Sequence, residues 1–147
     1  MNHSRRLTLG MRMAYTYSDM SRDPSSKIGA VIMDANGSIR SGGFNGICRG
    51  VVDDVERMTV RPEKYLWMEH AERNAIYNAA RIGTPLEGCV MFITGLPPCA
   101  RCARAIIQVG ITHVYYAAGG LIPERWQDDM LVAAVMLEEA GIKRTGI

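Results

Sequence analysis

From residue 69 onward the apolar pattern keeps changing its period, and this alternation limits the fold more than any other feature of the chain. Residues 69–81 place their apolar side chains at helical spacing and run into Gly83. "CVMFIT" (89–94) is a near-continuous apolar run, as expected of a strand covered on both faces. "CARCARAIIQVG" (99–110) returns to the helical period between Pro97-Pro98 and Gly110. "THVYYAA" (112–118) is a further strand, and "PERWQDDMLVAAVMLEEAG" (123–141) is a helix opened by Pro123 and ended by Gly141. Helix, strand, helix, strand, helix in that order calls for a largely parallel sheet with helices packed over it.

The N-terminal part enters this sheet differently. Leu9, Met13, Tyr17 and Met20 recur at helical spacing, and the helix from about residue 5 to 20 is stopped by "SRDPSS". "KIGAVIMD" and "SIRSGGFN" are strands joined through Asn36-Gly37, which predicts an antiparallel hairpin. Residues 46–68 are mixed in composition, with Asp53-Asp54, Arg57, Arg61 and Pro62, and read as a long loop with one short helix. A loop of that length inside a compact domain is usually functional or mobile. At 147 residues, with no repeat, low-complexity tract or linker, the chain reads as one domain, 1–147.

Composition removes several function classes. A net charge of +2 without a Lys/Arg run argues against a nucleic-acid partner. No apolar run is long enough for a membrane span. The opening "MNHSRRLTLGMRM" lacks the apolar stretch of a signal peptide, so a cytoplasmic location is expected. The four cysteines, Cys48, Cys89, Cys99 and Cys102, are unevenly spaced, which favours metal ligands or buried thiols over disulfides.

Two stretches carry chemistry. "MEHAERNAIY" sets His70 two residues before Glu72 at a helix start, and "PPCARC" sets Cys99 and Cys102 one turn apart at the next. In a parallel β/α arrangement successive helices start on the same side of the sheet, where ligands bind. One imidazole and two thiolates suit zinc, and unpaired N–H groups of a helix's first turn favour the thiolate form. Three protein ligands leave a coordination position for water, which zinc acidifies to near neutrality, and Glu72 stands where it can move that water's proton. Other readings of the parts are a redox CxxC pair, or a closed structural site completed by Cys48, Cys89, His3 or His113. Cys89 and His113 begin their strands and so belong at the far edge of the sheet. The full H-x-E…P-C-x-x-C combination is the signature of zinc deaminases.

With these motifs the chain resembles the cytidine and deoxycytidylate deaminase superfamily along nearly its whole length. "SRDPSSKIGAVI", "GGFNG", "EHAERNAIY" and "PPCARCARAIIQVGITHVYY" are most similar to segments of deoxycytidylate (dCMP) deaminases. The resemblance implies a three-layer α/β/α fold, with a five-stranded mixed sheet and helices on both faces. It implies zinc-dependent hydrolysis of dCMP to dUMP and ammonia, with His70, Cys99 and Cys102 on the metal and Glu72 as acid and base. It also implies contact of Asn45 with the sugar and of the Ala71 backbone with the base. Ser26, Lys27 and Arg49 are the expected phosphate partners. Trp67 and Phe44 can wall the base or fill the core, and one of Tyr115 and Tyr116 should face inward.

Many relatives of this kind are hexamers, activated by dCTP with Mg2+ and inhibited by dTTP. A homo-oligomer is therefore expected, although Phe44 stands where the effector motif has a tyrosine and so lacks its hydroxyl. The rival substrates are another nucleobase, a nucleoside, or a tRNA adenosine, the last needing a basic face that this charge does not provide.

Overall fold

The computed structural model describes residues 2–147. Helix α1 (His3–Ser18), whose N-terminus is capped by Asn2, is followed by β1 (Gly29–Met33) and β2 (Ile39–Phe44). The segment read as a loop contains β3 (Gly46–Ile47), α2 (Val55–Thr59), α3 (Lys64–Trp67) and β4 (Met68–Glu69). Then come α4 (Ala71–Ile82), β5 (Val90–Ile93), α5 (Ala100–Gln108), β6 (His113–Tyr116), α6 (Glu124–Glu139) and β7 (Lys143–Gly146).

The main sheet has the order β2-β1-β5-β6-β7. β1 runs antiparallel to β2 and β5, whereas β5, β6 and β7 are mutually parallel. This is the expected mixed five-stranded sheet with helices on both faces. β1 is buried along its whole length, because its side chains alternate between two cores. Val31 and Met33 join Phe92 and Tyr115 beneath α1. Ala30 and Ile32 join Met91, Ile93 and Val114 beneath α4, α5 and α6. Of the tyrosine pair, Tyr115 is the inward one: it stacks on Phe92 at 5.1 Å between ring centroids, while Tyr116 packs partly buried on the other face.

Three readings need correction. β7 carries no strand signature in the sequence, because "KRTG" is exposed at all four positions and has no apolar period; β6 holds it by backbone pairing. Residues 46–68 hold two short helices rather than one. The helix read from residue 69 begins at Ala71, because Met68 and Glu69 pair as a short strand with Gly46 and Ile47. His70 is therefore the N-cap of α4, one position before its first turn.

One close approach sets the depth of the site. α4 lies directly on Gly43 of β2: a Cβ there would sit 2.9 Å from the Ala71 carbonyl oxygen and 2.8 Å from the Asn74 carbonyl carbon. Hydrogen bonds sew the helix to this strand, from Asn74 to the Phe44 carbonyl (2.7 Å), from Asn78 to the Gly42 carbonyl (2.7 Å), and from the Ser41 hydroxyl to the Ala75 carbonyl (2.6 Å). At its other end α4 stops at Gly83, whose φ of 72° is the left-handed conformation that glycine adopts at no steric penalty.

Candidate active site

The N-terminal ends of α4 and α5 meet, α4 lying over β2 and α5 following β5. His70 is the N-cap of α4; Cys99 is the N-cap of α5, and Cys102 lies in its first turn. His70 Nδ1 is 3.5 Å from Cys99 Sγ and 3.4 Å from Cys102 Sγ, and one donor atom from each residue lies within 4.8 Å of the other two. These three form the only group of its kind among the described residues. Cys89 is buried in the core, Cys48 is exposed on the surface, and all four cysteines are free thiols. His113 is occupied elsewhere, bonded to the Thr145 hydroxyl at 2.8 Å and stacked on Tyr115. None of these supplies a fourth donor.

The cluster's own electrostatics fit a dication. Cys99 is pulled down to about 3, chiefly by the hydrogen bond from Cys102, and against burial it is helped by His70. Cys102 is pushed well up, because it donates that bond and is itself buried. His70 is raised by its hydrogen bond to Cys99, against the effect of burial. A divalent metal ion that prefers nitrogen and sulfur would favour the ionised form of both thiols.

Glu72 follows in the first turn of α4 and is buried, only 6% exposed. Burial raises its pKa; the attraction of His70 opposes this and the charge of Cys99 adds to it. A carboxyl moved toward neutrality is suited to proton transfer near pH 7. Just outside the helix, Glu69 pairs with Arg73 and accepts the His70 N–H at 2.9 Å, which orients the start of α4.

Glu72, His70, Cys99 and Ala71 line one cavity of about 220 Å3. Ala71 begins α4, so its N–H has no partner within the helix. Ser26 and Asn45 line the same cavity. Asn45 is buried and mostly committed to the protein: its Oδ1 accepts the Ile28 N–H at 2.8 Å, and its Nδ2 donates to the Ser26 carbonyl at 2.8 Å and to Asp23 at 3.3 Å. One oxygen lone pair remains for a ligand. Behind it, Asp23 and Lys64 form a buried ion pair of 2.8 Å that joins the segment before β1 to α3.

Several expected contacts lie elsewhere. Lys27 is exposed and does not line the cavity, since the chain turns into β1 there and Ile28 takes the inward position. Arg49 is bound to Asn78 on the surface. Phe44 is outside the cavity lining, and Trp67 lies under the Arg57 guanidinium, 4.0 Å from the ring centroid. The aromatic wall is instead Tyr65 and Trp126, edge to face at 5.4 Å. The cationic residues of the lining are Arg61, Lys64 and Arg125. No periodicity or spacing marks these five residues. They come from the irregular 46–68 segment and from the first turn of a helix that reads as core packing.

A cluster of nitrogen and sulfur donors beside a buried carboxyl group, at the edge of an α/β/α sheet, is the arrangement of a zinc-dependent hydrolase. Residues 4–118 match the profile of the cytidine and deoxycytidylate deaminase zinc-binding region. The chain belongs to the cytidine and deoxycytidylate deaminase family. It is 40% identical over 141 residues to the "uncharacterized deaminase in luxG 3'region" of Aliivibrio fischeri, covering 91% of this chain and 88% of that protein. It is 34% identical to the deoxycytidylate deaminase of Homo sapiens, covering 90% of this chain and 74% of that one. The dCMP deaminase of cyanophage S-TIM5, solved in complex with dCMP and dUMP, superposes with a TM-score of 0.78 at 27% identity over 100% of this chain and 99% of that chain.

Proposed function

We propose that this chain hydrolyses dCMP to dUMP and ammonia at the cavity lined by the starts of α4 and α6 and by Cys99. The observation that carries the reading is the convergence of His70, Cys99 and Cys102 beside a buried Glu72, in a chain whose relatives include deoxycytidylate deaminases. When bound by the imidazole and two thiolates, zinc supplies a water acidified to near neutrality. Glu72 holds the proton that N3 of the pyrimidine takes up, which makes C4 electrophilic, and afterwards delivers a proton to the departing amine. The Ala71 N–H and the free lone pair of Asn45 orient base and sugar. Tyr65 and Trp126 close the cavity around the ring and exclude bulk water.

Arg61 and Arg125 take the nucleotide's phosphate. Both line the cavity, and among the described residues neither has a carboxylate partner, whereas Lys64 is neutralised by Asp23. Arg61 is turned by its Nε bond to the Tyr65 hydroxyl (3.0 Å), which leaves its terminal nitrogens free to donate. Lys27 is not part of this group; Ser26, in the lining, remains in it. A cytoplasmic homo-oligomer completes the reading. Its support is the apolar surface of α6, where Leu131, Val132 and Val135 are 66%, 54% and 49% exposed.

Ammonia release from dCMP, deoxycytidine, dCTP, guanine and tRNA, measured in parallel, tests the substrate. dCMP should be preferred. Arg61→Ala and Arg125→Ala should each lower kcat/KM for dCMP roughly 10- to 100-fold, the value of one hydrogen bond to a charged group, and leave deoxycytidine turnover nearly unchanged. Equal losses on both substrates would remove the phosphate role, and a preference for guanine or tRNA would remove dCMP.

A further inference from the structure

The turn that carries Cys99 and Cys102 cannot cap itself. A helix leaves its first N–H groups without partners, and a Ser, Thr, Asp or Asn at the N-cap normally accepts one of them. In α5 the N-cap is Cys99, whose side chain makes no capping bond. Cys102, in the first turn, faces the same cluster. The first intrahelical bond is from Ala103 N to the Cys99 carbonyl (2.8 Å), so Ala100 N lies ahead of the hydrogen-bonded ladder. That group donates to Asp129 Oδ1 at 2.7 Å, a short bond to an acceptor 29 residues away on α6. One turn earlier on α6, Trp126 sets its ring against the edge of His70 at 6.3 Å and 70°. The first two turns of α6 therefore touch both ligand-bearing helix starts.

We propose that Asp129 is a positioning residue for the metal-binding turn: its carboxylate, delivered by α6, caps α5 and holds Cys99 and Cys102 at their donor spacing. A carboxylate at a helix N-terminus is favoured by the helix dipole, and a bond to a charged acceptor is stronger than a neutral one. The arrangement makes α6 part of the metal centre although it contributes no ligand. The proposal rests on the reading of this centre as a zinc site; zinc content of the unaltered protein tests that reading by itself.

The test compares Asp129→Ala with Asp129→Asn, which keeps an oxygen acceptor of the same reach. Zinc affinity is measured by chelator competition, and ligand geometry by the visible absorption of the cobalt-substituted protein. Asp129→Ala should bind zinc roughly 10- to 100-fold more weakly, the usual penalty for losing a group that orients a metal ligand. Its cobalt bands should shift, and kcat should fall while KM for dCMP stays within roughly twofold. Asp129→Asn should restore most of the affinity. If Asp129→Ala does not fold, Asp129→Ser, too short to reach Ala100, takes its place. Unchanged zinc affinity and cobalt spectrum without the acceptor, or an Asn variant as poor as Ala, would overturn the proposal.

Discussion

A single methyl group placed beneath α4 tests whether the seating of that helix controls the chemistry. Gly43→Ala puts a Cβ 2.8–2.9 Å from the Asn74 carbonyl carbon and the Ala71 carbonyl oxygen, and closer still to Ala75 N. These are backbone atoms, which no rotamer change can move aside. Restoring ordinary contact near 3.5–4.0 Å requires α4 and β2 to separate by about 1 Å. Overpacking of this kind costs about 1–3 kcal/mol. The same displacement stretches the Asn74, Asn78 and Ser41 bonds, each worth about 1 kcal/mol net. A total near 3 kcal/mol lowers Tm by roughly 6–12 °C for a chain of this size. Because α4 begins at the His70 cap and carries Glu72, a misplacement of about 1 Å also costs about 100-fold in kcat. Gly46→Ala is the control: it lies three residues away, and a Cβ there meets nothing within 4 Å. Thermal melts and steady-state kinetics of both variants are the assay. Gly43→Ala with wild-type Tm and kcat would show that the helix has room to yield, and the seating argument would be wrong.

Two further outcomes follow from the same structure. Glu72→Gln should lower kcat by roughly 10²–10⁴-fold while zinc content stays at the wild-type level, since an amide cannot carry the proton; loss of metal together with activity, read by elemental analysis, would point to a structural role instead. Lys64→Met should cost about 3 kcal/mol at pH 7 in urea unfolding, near the low end for breaking a buried pair, because Asp23 keeps bonds from Ser25, Ser26 and Asn45. Burial pushes the Asp23 pKa up, but Lys64 and the Ser25 and Ser26 N–H groups outweigh it, and the net shift is downward. The stabilisation is therefore present above the unfolded carboxyl's pKa near 3.9 and lost as pH falls through the lower folded value. The gap between wild type and variant should shrink below about pH 4, and a gap that widens there would refute the assignment.

What could be read from the residues divides along a physical line. β1, β5 and β6 were legible because buried strands need apolar side chains on both faces, and α4 and α5 because Gly83 and Gly110 end them. β7 was not, since an exposed edge strand is held by main-chain bonds to which "KRTG" adds no pattern. The zinc-type donors were legible because chemistry restricts them to a few residue types and helix geometry restricts their spacing. The cationic residues of the cavity lining were not: any exposed Lys or Arg qualifies by type, so Lys27 and Arg49 looked as good as Arg61 and Arg125.

Local sequence by itself determined roughly where the four long helices and the buried strands lie, that His70 and the two cysteines stand at helix starts, and that Glu72 is two residues from the imidazole. Those features depend on periodicity, caps and spacing, all of which act over a few residues. Only the tertiary structure decided which distant groups meet around these residues: Lys64 against Asp23, Trp126 against His70, and Asp129 on Ala100. Such pairs are set by how the 46–68 segment and α6 pack against the sheet, and packing is a property of the whole chain that no short stretch encodes.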